Sequence, residues 1–161
     1  MNIIQAIEDP GLFRPFFKDP GPWRSWETYL RALFGLPIED KEKKLFTEST
    51  GLEVTPTGRA RESFVICGRR SGKSFISAIV AVYLAAFKDW TPYLSPGERG
   101  YIFIIAGDKG QAGIIKKYIS GLLHGNRILR AMVEKETGEE IRLRNRVTLA
   151  VKTSSFRSVR G

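Results

Sequence analysis

The feature that most restricts the fold is a triplet, Gly72-Lys73-Ser74, placed between two apolar segments of different period. Ahead of it, Ser63-Phe64-Val65-Ile66-Cys67 reads as a short buried strand. Behind it, Phe75, Ile76, Ala78, Ile79, Val80, Val82, Tyr83, Leu84, Ala86 and Phe87 cover nearly every side of a helix, the pattern of one buried between a sheet and other elements. A second strand follows at Tyr101-Ile102-Phe103-Ile104-Ile105-Ala106, apolar on both faces like a central parallel strand. Gly107-Asp108-Lys109-Gly110 then turns into a helix expected over residues 111–123. Strand, helix, strand, helix predicts the α/β class, a parallel sheet with flanking helices. Residues 140–144 and 147–152 alternate apolar and polar positions around Asn145-Arg146 and predict a terminal β-hairpin.

The first sixty residues carry another signal. Asp9-Pro10-Gly11 and Asp19-Pro20-Gly21-Pro22 enclose Phe13, Phe16 and Phe17 and predict loop and short turns. Trp23, Trp26, Tyr29, Leu30, Leu33 and Phe34 then recur at three- and four-residue spacing until Gly35 and Pro37 end the run, which predicts a short amphipathic helix. Residues 39–44 read as a solvated helix and 48–61 as a connecting loop. The expected organisation is an N-terminal aromatic helix and loop segment over residues 1–62, followed by the α/β region over 63–161.

Charge is divided in the same way. The chain carries 26 Lys and Arg against 17 Asp and Glu, a net charge of +9. Nine basic and ten acidic residues precede Ser63, whereas seventeen basic oppose seven acidic from Ser63 onward. The positive field therefore belongs to the second region and favours a polyanionic partner. A single cysteine, Cys67, excludes an internal disulfide and fits a reducing compartment, and a single histidine, His124, excludes a Cys/His zinc cluster. The longest apolar run, residues 75–87, is thirteen long and includes Ser77, short of the ~20 needed to cross a bilayer. Glu8 and Asp9 stand where a signal peptide has its apolar core, so no membrane partner or export is expected.

The triplet carries the chemistry. A phosphate-binding loop has a glycine, four residues and then Gly-Lys-Ser/Thr between a strand and a helix. Glycines let successive amides face the phosphates, the lysine supplies a point charge to the β and γ phosphates, and the hydroxyl ligates Mg²⁺. The helix amino end adds partial positive charge. Gly72, Lys73 and Ser74 fit, while Cys67 holds the first glycine position and Gly68 follows one residue later. The expected ATP-binding residues are Gly68, Arg69, Arg70, Ser71, Gly72, Lys73 and Ser74, with Ser74 on Mg²⁺, in a P-loop NTPase-like sheet. Either Arg69 or Arg70 serves as an arginine finger supplied in cis, or pairs with an acidic neighbour. The competing reading of the loop is a solvated basic patch. No apolar run ends in Asp-Glu or Asp-Asp to hold Mg²⁺ through water. The nearest acid, Asp108, sits where an N-cap would start the next helix.

These residues resemble the ATPase domain of the large terminase subunit of tailed bacteriophages, a motor that pumps DNA into a procapsid. Residues 65–74 are similar to the family's deviant Walker A, in which the first glycine is often missing and an arginine stands three residues before the Gly-Lys pair. Arg69 holds that position, so the resemblance implies Lys73 and Arg69 as catalytic residues. The aromatic helix from Trp23 is similar to one placed before the nucleotide fold in one terminase branch, where it helps to frame the adenine. Residues 104–112, with Gln111-Ala112, are similar to the segment after the Walker A helix, and Ser158-Val159-Arg160-Gly161 to the one that precedes Walker B. The sequence is thus expected to be a partial ATPase domain that stops before Walker B, without the family's nuclease domain and with weak or no ATP hydrolysis. The resemblance further implies double-stranded DNA, the portal and procapsid, the small terminase subunit and a self-assembled ring as partners, in the host cell cytoplasm.

A second reading is a nucleic-acid-binding module built on Arg142, Arg144, Arg146, Lys152, Arg157 and Arg160, with no acidic residue from Ile141 onward to offset them. A helicase-like or kinase-like P-loop fragment is the third. His124 reads as a surface or capping residue, Cys67 as the apolar end of a buried strand, and Trp23 and Trp26 as core or adenine platform.

Overall fold

Asn2 and Gln5 cap the first helix reciprocally. Asn2 Oδ1 accepts from the Gln5 amide at 2.9 Å and Gln5 Oε1 from the Asn2 amide at 2.8 Å. The computed structural model describes residues 1–19 and 21–154. Helix α1 (Ile3–Glu8) buries Ile3, Ile4, Ala6 and Ile7, so the amino end is helical and apolar where turn signals predicted loop. Two 3-10 turns follow, Arg14–Phe16 and Gly21–Trp23. Helix α2 (Arg24–Phe34) is the expected amphipathic helix, and Gly35 closes it in the left-handed conformation at φ 64°. A Cβ there would meet the Gly58 backbone at 2.4 Å, so only glycine fits.

Helix α3 (Asp40–Thr50) runs longer than the charge pattern predicted. It is tied to α2 by polar contacts: Thr28 Oγ1 donates to Glu42 Oε1 at 3.2 Å, while Arg31 reaches Glu39 at 3.0 Å and Glu42 at 3.3 Å. These elements form a first unit, Met1–Arg69.

The second unit, Arg70–Gly161, holds the sheet. Helix α4 (Lys73–Phe87) precedes β1 (Gly100–Ala106), then come α5 (Lys109–His124) and α6 (Arg127–Met132). Strands β2 (Val133–Glu136), β3 (Glu140–Leu143) and β4 (Val147–Thr153) complete a mixed four-stranded sheet in the order β1-β4-β3-β2. Strand β1 pairs in parallel with β4, and β4-β3-β2 is antiparallel. The class is therefore α/β with flanking helices.

The hairpin between β3 and β4 forms where the alternation placed it, closed by a three-residue loop whose last residue, Arg146, is left-handed at φ 65°. Helices α4 and α5 pack on each other and on one face of the sheet. That face carries Leu149, Val151 and Ile141, all buried. Strand β1 departs from its expected central position: among the described strands it is an edge, and Tyr101, Phe103 and Ile105 on its other face are exposed. Continuous apolar sequence made both faces look buried, but only alternate residues face the helices.

Candidate phosphate-binding site

The strand expected over residues 63–67 is not formed. Residues 62–68 have no regular structure, Phe64 is 92% exposed and Ile66 is fully exposed. A strand is stabilised by its ladder and by neighbours on its faces, and an apolar pentapeptide without either has nothing to hold it extended. Cys67 is accordingly half-buried rather than the sealed end of a strand.

From Arg70 onward the loop is ordered by backbone geometry. Arg70 is left-handed at φ 62°, and Gly72 at φ 85° and ψ 5° is the N-cap of α4. Lys73 is the first residue of the helix and Ser74 the second. Gly72 offers no side-chain cap to this amino end, and no acidic residue stands in its first turn. The positive end of a fifteen-residue helix thus has no carboxylate in its own first turn to offset it.

The three loop cations are exposed, and among the described residues Arg69, Arg70 and Lys73 make no side-chain hydrogen bond or ion pair. The pairing of Arg69 or Arg70 with an acidic neighbour is not realised. Gly68 and Arg69 close the first unit, while Arg70, Ser71, Gly72, Lys73 and Ser74 open the second. A Cβ on Gly68 would meet nothing within 4 Å, and its φ is not positive, so the site requires glycine at position 72 and not at 68.

No group of three His, Cys, Asp or Glu side chains able to hold a metal occurs among the described residues. A Mg²⁺ at this site fits only the hard-cation pattern in which substrate phosphates and water supply most oxygens and the half-buried Ser74 adds a hydroxyl. Asp108 caps α5 as expected, its Oδ1 accepting from the Gln111 amide at 2.9 Å.

The aromatic segment contributes a cavity of about 180 Å³ in the first unit, lined by Ile7, Glu8, Arg14, Phe17, Trp23 and Glu27. Phe17 meets Trp23 edge-on with ring centroids 5.2 Å apart, and Trp26 meets Tyr29 likewise at 5.6 Å.

The basic residues of the hairpin are not one patch. Lys152 Nζ is bound to Glu139 at 2.6 Å, Arg144 Nε donates to the Ala131 carbonyl at 3.2 Å, and Arg146 Nη1 donates to the Ser95 carbonyl at 3.4 Å. Arg142 is 3.6 Å from Glu140. The acids beside Lys152 and Arg142, Glu139 and Glu140, lie just before Ile141. Arg157, Arg160 and the 158–161 segment lie outside the described residues.

His124 is a surface residue, with Nε2 2.7 Å from Glu136 Oε2. Partial burial would raise the Glu136 carboxyl, but hydrogen bonds from Lys116, His124 and Ser120 outweigh it and hold the carboxyl below its ordinary range. Sequence reasoning missed Lys135, which sits directly opposite Arg142 on the antiparallel β2–β3 pair. Its signal was the charge alternation of Glu134-Lys135-Glu136.

No family model, no curated protein and no solved structure matches the chain.

Proposed function

We propose that this chain binds a nucleoside triphosphate, ATP on the terminase resemblance, through residues 68–74. The observation that carries the reading is Gly72, left-handed at the amino end of α4 and followed at once by Lys73 and Ser74. Amides at a helix start, a partner-free lysine and a hydroxyl are the three donor types a triphosphate with Mg²⁺ requires. Lys73 takes the β and γ phosphates and Ser74 the metal. Arg69 or Arg70 faces charge on the γ phosphate, Arg69 being favoured by the resemblance. Bound Mg²⁺ would neutralise phosphate oxygens, and Asp108, engaged as a helix cap, is not its carboxylate partner.

In this reading the α/β fold is P-loop NTPase-like. The chain is the ATP-binding part of a phage DNA-packaging motor in the host cytoplasm, with double-stranded DNA, portal, small subunit and a ring of copies as partners. Hydrolysis by the chain itself is weak or absent.

Equilibrium binding of a fluorescent ATP analogue, with and without Mg²⁺, tests the site. Lys73→Ala is expected to weaken binding at least tenfold and Arg69→Ala less. Affinity unchanged in Lys73→Ala overturns the assignment.

A further inference from the structure

The face of the sheet opposite α4 and α5 has an unusual composition. In register across it lie Tyr101, Phe103 and Ile105 on β1, Thr148, Ala150 and Lys152 on β4, Arg142 and Glu140 on β3, and Lys135 on β2. Tyr101 is 49% exposed and Phe103 59%, and their rings lie within 11° of parallel with centroids 5.5 Å apart. Thr148 and Ala150 beside them are small and fully covered, and Arg99 reaches over Thr148, its Nε 3.4 Å from Thr148 Oγ1 and its Nη2 3.1 Å from Glu134, which adds a cation between the rings and the next strands.

The far side is basic. Lys135 and Arg142 face each other directly, and like charges opposite one another in a sheet repel. Arg142 has only Glu140 at 3.6 Å, beyond hydrogen-bond reach, and Lys135 has no ion pair among the described residues. An external anion removes that repulsion. Arg142 is two strands from the aromatic pair, roughly 10 Å at the ordinary strand spacing.

We propose that this open face is a binding platform for single-stranded nucleic acid, with bases stacked on Tyr101 and Phe103 and the backbone phosphates on Arg142 and Lys135. Exposed parallel rings recognise the π-face that every base shares, and a basic strip beside them tracks the backbone. A duplex hides its base faces inside the stack and cannot use the rings. The platform uses neither Lys73 nor the phosphate loop, so it stands or falls apart from ATP binding.

Fluorescence anisotropy with labelled fifteen-nucleotide oligo-dT, oligo-rU and a fifteen-base-pair duplex tests it on the full chain, at two salt concentrations. At least one single strand is expected to bind at least tenfold more tightly than the duplex, and the dT and rU arms separate DNA from RNA. The double variant Tyr101→Leu/Phe103→Leu keeps the apolar surface and removes the stacking. It is expected to lose tenfold or more in single-strand affinity while circular dichroism and the ATP analogue's affinity stay unchanged. Lys135→Gln is expected to weaken binding to any sequence and to lower the salt slope by about one. Equal affinity for duplex, full binding by the leucine double variant, or a second copy of the chain burying this face without any nucleic-acid binding would each overturn the proposal. Should the leucine variant fail to fold, Lys135→Gln and the single-strand preference of the unaltered chain decide it.

Discussion

Asn145 Nδ2 donates to the carbonyl of Ala85 at 2.8 Å, so the loop that closes the β3–β4 hairpin is fastened to the last turn of α4. The carbonyls at the end of a helix have no partner within it, and a side chain sixty residues away supplies one here. The bond joins the helix that carries the phosphate loop to the sheet on which that helix packs.

Asn145→Ala removes the donor and leaves the half-buried carbonyl unsatisfied. A loss of about 1 kcal/mol is expected, and Asn145→Asp, which aims a carboxylate at the same oxygen, is expected to cost more. Urea denaturation followed by the fluorescence of Trp90, whose Nε1 donates to the Leu84 carbonyl at 2.8 Å, reads this unit. An unchanged midpoint in both variants means the fastening carries no energy.

The two glycines of the loop are not equivalent. Gly72 is left-handed at φ 85°, a conformation that costs a residue bearing Cβ about 1–2 kcal/mol. Gly68 has open space at its Cβ position. Gly72→Ala is therefore expected to lower the melting temperature by several degrees and to weaken the ATP analogue, whereas Gly68→Ala leaves both within error. Calorimetry with the binding assay separates the two, and equal effects would contradict the local geometry.

Glu27 predicts a pH effect in the first unit. Burial, then the charges of Glu8 and Glu42, push its carboxyl up, and Arg31 and Arg24 only partly oppose them. The folded state therefore holds this proton more tightly than the unfolded state does, and ionised Glu27 costs stability at neutral pH. That cost disappears as pH falls through the raised folded value toward 4.5, the ordinary one. Glu27→Gln is expected to stabilise at pH 7, by no more than a few tenths of a kcal/mol because solvent screens this partly exposed carboxyl, and by nothing near pH 4. Denaturation followed through Trp23 and Trp26 at the two pH values measures it. A variant no more stable than the parent at pH 7 removes the prediction.

Local signals explain which parts of the fold were legible. Helices α2, α4 and α5, the hairpin and the Asp108 cap follow from period and turn residues, which act within a few positions along the chain. Helix α1 was missed because Asp9-Pro10-Gly11 and the later prolines outweighed a six-residue apolar stretch whose capping pair, Asn2 and Gln5, begins at the second residue. The strand expected at residues 63–67 and the central position expected for β1, which itself forms and pairs in parallel, failed for a different reason. Both segments are apolar and β-prone, but whether such a segment pairs, and whether one face or two is covered, depends on which strands lie beside it, and sequence period is silent on that. At the candidate site, Gly72, Lys73 and Ser74 were legible as a triplet. The distribution of basic charge was not, because cross-strand register places Lys135 opposite Arg142 and the folded hairpin brings Glu139 to Lys152 as an ion pair.

One polar cluster bears on how α5 moves. Lys116, Ser120 and His124 lie four residues apart along a single stripe of that helix, and all three donate to Glu136 on β2, Lys116 at 2.5 Å and His124 at 2.7 Å. Apolar packing alone tolerates a helix that rolls about its own axis, since one aliphatic contact is exchanged for another. A carboxylate gripped at three successive turns does not. Glu136 therefore serves as a rotational stop, and the torsional stiffness it gives α5 holds the azimuth of that helix against β2.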